Sequence, residues 1–318
     1  MTEITPFWLS GEPTFGEDSL DVHSPYSGAL VGRVSLPTPT QVEQAIADAD
    51  AVQAELLGLP AHVRAKALDH ISARLAERAD EFAALITAEN GKPLMWSKGE
   101  VNRAVSTFRW AAEEARRWSG ELQRLDTDPN ATGRLGIVRR FPRGPVLGIA
   151  PFNFPLNLVA HKVAPAIAVG APVLIKPASA TPLTALLLAS VIAETDLPKG
   201  AVSVLPIPND QMDAVNVDPR LPVISFTGSD AVGDRIRRAA PDKQIILELG
   251  GDAAVLVEPD WPDLKTAAER IALFGNYQAG QSCISVQRVL VHAGVYDAFV
   301  SLLTEAVRGL RTGDPNDP

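Results

Sequence analysis

Apolar residues recur at helical spacing through much of the first 118 positions, and from Val146 onward they gather into short runs separated by helical stretches. Thr40-Gln41-Val42-Glu43 has the capping-box pattern and predicts a helix from there to about Leu57. A second helical pattern runs from Ala61 to Glu89, broken near Ala79-Asp80, and Asn90-Gly91 supplies its stop. A third, from about Leu94 to Trp118, places Val101, Val105, Phe108 and Ala112 on one face. The N-terminal third is therefore expected to be mostly helical.

The pattern changes at Gly133–Phe141, which alternates, carries Arg134, Arg139 and Arg140, and ends at Pro142-Arg143-Gly144. That reads as a hairpin or projecting arm. Strands are then expected at Val146–Ala150, Val173–Lys176, Val202–Ile207, Val223–Phe226, Ile245–Leu249 and Ala253–Val257. Helices are expected between them at Leu156–Val169, from Thr181-Pro182 to about Thr195, and at Asp230–Ala239. This alternation predicts an α/β fold with a mostly parallel, helix-covered sheet.

The chain has 318 residues, is 46% hydrophobic and 21% charged, and carries a formal charge of −9. Such an acidic chain, with basic residues only in isolated pairs, is not built for nucleic acid or an anionic membrane. Its longest apolar runs, such as Ala185–Ile192, are too short to span a bilayer. Met1–Pro6 shows no basic region before an apolar run, so no leader is read there. A single cysteine excludes an internal disulfide and a thiolate metal cluster, and fits a reducing cytoplasm.

That cysteine, Cys283, closes Gly280-Gln281-Ser282-Cys283, downstream of Glu248 in Leu247-Glu248-Leu249-Gly250-Gly251. A thiol nucleophile needs small neighbours and a base, and both are here, although a lone cysteine is often only a small buried hydrophobe. Phe226-Thr227-Gly228-Ser229 joins a strand to a helix, where glycine lets a phosphate approach the backbone or merely makes a turn. It is not the dinucleotide fingerprint of three close glycines. Lys176 ends an apolar strand, either as a solvated lysine or where open α/β sheets place ligand contacts. Asn153, in Pro151-Phe152-Asn153-Phe154-Pro155, is a turn residue or a stiffly held donor to an oxyanion.

Taken in order, these five segments, with Ile175-Lys176-Pro177-Ala178-Ser179 as the fifth, resemble the aldehyde dehydrogenase superfamily over nearly the whole chain. The resemblance implies Cys283 as nucleophile, Asn153 and the Cys283 backbone N–H as oxyanion donors, and Glu248 as the base that activates water. It implies NAD or NADP as coenzyme. Lys176 and Ser179 would lie at the adenosine ribose, Gly228 and Ser229 at the pyrophosphate, Gly250 at the nicotinamide, and Phe152 and Leu249 among the other contacts. Ser179 stands where NAD-preferring members often carry a glutamate, so NADP is expected to be accepted. The presence of Glu248 favours a free acid as product over transfer to coenzyme A.

The resemblance also implies a Rossmann-like coenzyme domain over 1–257, with an oligomerisation hairpin near 133–143, and the beginning of a catalytic domain over 258–318. Family members continue well beyond Pro318, so an incomplete catalytic domain is expected, with Val289–Val291 and Phe299–Leu303 uncovered. Leu156–Lys162 resembles the branch acting on small hydroxylated or anionic aldehydes, in which Arg109 and His161 would meet the substrate anion. A solvated helical arginine and a core-edge histidine remain the alternatives. Ser282, in place of an arginine, speaks against a glyceraldehyde-3-phosphate-specific member. A homodimer or homotetramer is expected of the full-length form. The rival expectations are a catalytically silent nucleotide-binding fragment and a thiol hydrolase pairing Cys283 with His161.

Overall fold

The computed structural model describes residues 3–317; Met1, Thr2 and Pro318, on which the readings of a leader and of an unfinished end partly fall, lie outside them. The described chain opens with strands: β1 (Ile4–Thr5), β2 (Phe7–Leu9), β3 (Glu12–Thr14), β4 (Asp18–His23) and β5 (Leu30–Leu36). The expectation of a mostly helical N-terminal third missed them, since runs this short carry almost no periodic signal. β1, β5 and β4 form a small sheet, while β2 and β3 extend the main one.

Helices follow as α1 (Pro39–Ala51), α2 (Gln53–Gly58), α3 (Ala61–Glu77), α4 (Ala79–Asn90) and α5 (Leu94–Arg117). The capping box lies at Thr38–Gln41 and not at the expected 40–43. The Thr38 hydroxyl accepts from the Gln41 amide at 3.3 Å, and the Gln41 side chain accepts from the Thr38 amide at 2.8 Å. Pro39 sets this start, because its fixed φ suits the first helical position. Gly91 ends α4 in the left-handed region at φ 74°, as its type and place predict.

β6 (Glu121–Arg124) and β7 (Leu135–Val138) pair antiparallel as a hairpin, so the arm read at 133–143 is one half of a longer structure. Then come β8 (Val146–Ile149), α6 (Asn157–Val169), β9 (Val173–Lys176), α7 (Leu183–Ile192), β10 (Val202–Val204), α8 (Met212–Val217), β11 (Val223–Thr227), α9 (Asp230–Ala239) and β12 (Gln244–Glu248). The main sheet runs β12-β11-β8-β9-β10-β2-β3, parallel from β12 to β10 and antiparallel beyond. Its apolar interior joins the fully buried Leu147, Leu174 and Ile224 of the strands to Ile71, Phe82, Phe108 and Val163 of the covering helices.

The chain leaves β8 toward β9 and β10 on one side and returns to β11 and β12 on the other. Such a reversal opens a crevice beyond the carboxyl ends of the central strands, where α/β sheets bind ligands. β13 (Ala253–Val257) does not close the main sheet as expected. It pairs in parallel with β14 (Val286–Val291), beside α10 (Leu264–Gly275), the short turn α11 (Tyr277–Gly280) and α12 (Tyr296–Arg308). Within this second unit Phe299 is wholly buried with Val257, Ala268 and Ile271, which corrects the expectation that it lies uncovered; Leu256 and Leu290 are exposed. Among the described residues no helix is long and apolar enough to cross a membrane.

Candidate active site

A cleft of about 710 Å³ opens at the carboxyl ends of β8, β9, β11 and β12. Into it the structure brings Phe152, Asn153, Lys176, Ser179, Gly228, Ser229, Glu248, Leu249, Gly250 and Cys283. Segments far apart in the sequence meet there because each follows the end of a parallel strand, apart from the Cys283 loop, which arrives from the second unit.

The loop leading to Cys283 is held in an uncommon backbone shape. Gln278, Ala279 and Gly280 all have positive φ, at 45°, 61° and 75°. For the two non-glycine residues this conformation is costly and persists only when the surroundings enforce it. Side chains do so here: Gln278 Nε2 and Asn153 Nδ2 each donate to the Gln281 carbonyl at 2.7 Å. Cys283 itself is exposed. The Asn153 amide keeps a second N–H for an acceptor in the cleft.

Lys176 is 5% exposed, and its amine donates to Asn209 Oδ1 at 2.7 Å on the cleft wall. Burial lowers its pKa from the ordinary value to about 8. A Cβ on Gly228 would stand 2.6 Å from the Phe226 ring, while nothing lies within 4 Å of one on Gly250. Ser229 begins α9 with its side chain making no cap bond. A buried ammonium, a bare turn at a helix start and open space at Gly250 fit the ribose, pyrophosphate and ring of a dinucleotide.

Three residues passed over in the sequence analysis stand near this group. Lys162 on α6 is 5% exposed and reaches across β8 to donate to Ser225 Oγ at 3.2 Å and Thr227 Oγ1 at 2.9 Å. Gly148 leaves room for its stem, since a Cβ there would sit 3.1 Å from Lys162 Cδ. Burial pushes the Lys162 amine down to about 8, against the pull of Glu248. Arg235 also lines the cleft. Arg103 lies 5.3 Å from the Phe154 ring. A lysine inside an apolar helix was the one signal that sequence reasoning could have used for Lys162.

Arg109 is not brought to the cleft. It stacks by Trp110 at 5.7 Å, and helical spacing turns it away from Arg103 and Thr107. His161 Nε2 is 3.4 Å from Thr107 Oγ1. Burial, then Arg103 and Lys162, hold its pKa below the usual histidine value. Neither Arg109 nor His161 lines the cleft, and Arg103 is the arginine whose charge acts on His161.

Residues 12–318 match the family model described as the aldehyde dehydrogenase family. The chain belongs to that family. It is 36% identical over 321 residues to a 3-sulfolactaldehyde dehydrogenase of Priestia aryabhattai, covering 100% of this chain and 66% of the relative. Among solved structures, aldehyde dehydrogenase 21 of Physcomitrella patens in complex with the reaction product succinate superposes with a TM-score of 0.96 at 40% identity. That match covers 100% of this chain and 66% of the other. An NADP-dependent glyceraldehyde-3-phosphate dehydrogenase of Bacillus halodurans complexed with NADP gives 0.95 at 31% identity, over 99% of this chain and 67% of that one. The chain thus spans about two-thirds of the length of these family members.

Proposed function

We propose that this aldehyde dehydrogenase family chain carries the machinery for NAD(P)-dependent oxidation of a small anionic aldehyde to its acid. The observation that carries the reading is the convergence of Cys283, Asn153 and Glu248 with Lys176, Gly228 and Gly250 in one cleft. Bound there, the coenzyme would supply the hydride acceptor. Cys283 Sγ adds to the aldehyde carbon, and the resulting oxyanion meets the free N–H of Asn153 and the Cys283 backbone. One such donor typically contributes about 10²–10³ in rate. Loss of hydride from that carbon leaves a thioester on Cys283. Glu248 takes a proton from water as it attacks the thioester, releasing the acid and the thiolate. Lys162, held by Ser225 and Thr227, stands within electrostatic reach of Glu248.

The guanidinium of Arg103, whose charge acts on His161, supports an anionic substrate, and His161, its pKa lowered by burial, contributes hydrogen bonding. Similarity to proteins acting on sulfolactaldehyde and binding succinate points the same way. Ser179 and Arg235 leave the ribose end of the cleft open to a 2′-phosphate. The exposed Leu122, Leu135 and Ile137 of the β6–β7 hairpin suit contact between copies, as a dimer or tetramer. The lone thiol suits the reducing cytoplasm.

The test is aldehyde-dependent formation of reduced NADP with succinate semialdehyde, in the wild type and in Cys283→Ala. Turnover abolished by the substitution while NADP still binds is the expected result. A chain that binds NADP but never reduces it is a silent nucleotide-binding fragment, and the catalytic reading fails.

A further inference from the structure

Between α4 and α5 lies an elbow that belongs to neither the coenzyme sheet nor the nucleophile loop, yet it touches the loops of both. Asn90 Nδ2 donates to the Phe152 carbonyl at 2.8 Å, and the Asn90 carbonyl accepts from Gln281 Nε2 at 3.4 Å. Phe152 precedes Asn153, and Gln281 is the residue whose carbonyl Asn153 grips. Asn90 therefore spans the oxyanion loop and the nucleophile loop at once. The preceding Glu89, buried, accepts from the Leu183 and Thr184 amides at 2.9 and 3.0 Å, tying the start of α7 to the same elbow.

Glu100 on α5 closes the other side. Its Oε1 accepts from the Leu156 and Asn157 amides at 2.9 and 3.0 Å, and its Oε2 pairs with Lys92 in a wholly buried ion pair. The Lys92 ammonium also lies 4.2 Å from the Phe154 ring. The segment Phe152–Asn157 is thus fixed before and after Asn153 by side chains of one short stretch.

We infer that the α4–α5 elbow, through Asn90 and Glu100, is a clamp that positions the Asn153 amide and the Cys283 loop relative to each other. Asn90 is the discriminating residue, for a reason visible in its other atom. Its Oδ1 is buried without a partner among the described residues. An apolar leucine of similar size would end that mismatch, so packing alone does not explain an asparagine here. Only the bond to the Phe152 carbonyl does. The proposal rests on the catalytic reading above for its chemistry and on geometry alone for the clamp.

The experiment compares wild type, Asn90→Leu, Asn90→Asp, Asn153→Ala and the Asn90→Leu/Asn153→Ala double variant by two readouts. The first is native-state hydrogen exchange, which needs no turnover. Backbone amides in 152–157 and 278–283 are expected to exchange at least about tenfold faster in Asn90→Leu, with β8, β9 and α3 unchanged. Asn90→Asp, which puts acceptors against the Phe152 carbonyl, should do the same and serves if the leucine variant does not fold. Unchanged exchange in both loops overturns the clamp.

The second readout is single-turnover hydride transfer with succinate semialdehyde and NADP. Misplacement of Asn153 by about 1 Å is expected to slow that step on the order of 10²-fold, with KM within about threefold. Because Asn90 acts through Asn153, the double variant should be no slower than Asn153→Ala alone, within about twofold. Additive losses, or loosened loops with undiminished hydride transfer, overturn the positioning role. A wild type that reduces no NADP refutes the catalytic reading, while the exchange data still decide the clamp.

Discussion

Lys176 offers a direct check on the coenzyme half of the cleft, because its charge titrates in an accessible range. Burial lowers its pKa from 10.5 to about 8. About nine-tenths of the amine is then charged at pH 7 and about one-tenth at pH 9. A 2′-phosphate carries its second charge already at pH 7, its own pKa being about 6, so it does not titrate in this window. Phosphate binding favours the ammonium, so affinity must fall as pH rises through about 8. If the bound complex holds its proton to beyond pH 10, the apparent Kd for NADP rises about tenfold from pH 7 to pH 9, or about 1.4 kcal/mol. NAD, lacking the phosphate, should respond less. Calorimetric titration of both coenzymes at fixed ionic strength across pH 7–9 measures this on the chain as it stands. Lys176→Met should bind NADP weakly at pH 7 and show little pH dependence. A flat wild-type profile, or one as steep in Lys176→Met, would mean that this amine does not face the phosphate.

Three further outcomes follow from the same geometry. One equivalent of iodoacetamide should label the protein at Cys283 and abolish aldehyde oxidation in step; Cys283→Ala should bind NADP normally and form no reduced coenzyme, and activity surviving there removes the nucleophile. Glu248→Gln should keep hydride transfer within about tenfold but slow thioester hydrolysis by about 10²–10⁴, seen as a burst of reduced NADP before slow turnover. Equal slowing of the two steps in single-turnover comparison counts against a base. Ser179→Glu should weaken NADP by roughly 5- to 150-fold, or about 1–3 kcal/mol, through charge repulsion at an intermediate dielectric while sparing NAD; an unchanged NADP-to-NAD ratio places residue 179 away from the phosphate.

What could be read ahead of the structure was what the chain writes contiguously. β8, β9, β11 and β12 are apolar runs between helices; Lys176 ends β9, and the loops after β8, β11 and β12 carry Asn153, Ser229 and Gly250 within a few residues of a recognisable strand. β2 was not readable, since three residues show no period and its place in the sheet is decided by pairing with β10, almost two hundred positions away. Arg109 and Arg103 were indistinguishable by type. Only the packing around α5 decides which one lies over Phe154.

The elbow at Asn90 marks the same boundary from the other side. Asn90-Gly91 was legible as a helix stop, and Gly91 does adopt the left-handed conformation that a stop requires. Nothing local shows that the side chain also reaches the Phe152 carbonyl, because that bond joins residues 62 positions apart. Lys162 is similar: as a lone lysine in an apolar helix it has no local partner, and Ser225 and Thr227 become its acceptors only once β8 and β11 lie side by side. Residues proposed to touch the reacting atoms thus sit in short motifs, at strand ends or, for Cys283, just after α11, where one loop suffices to present them. Residues that hold those loops in place act across elements, so their partners are set by topology, and a reading along the chain meets each of them only as an ordinary cap, stop or buried charge.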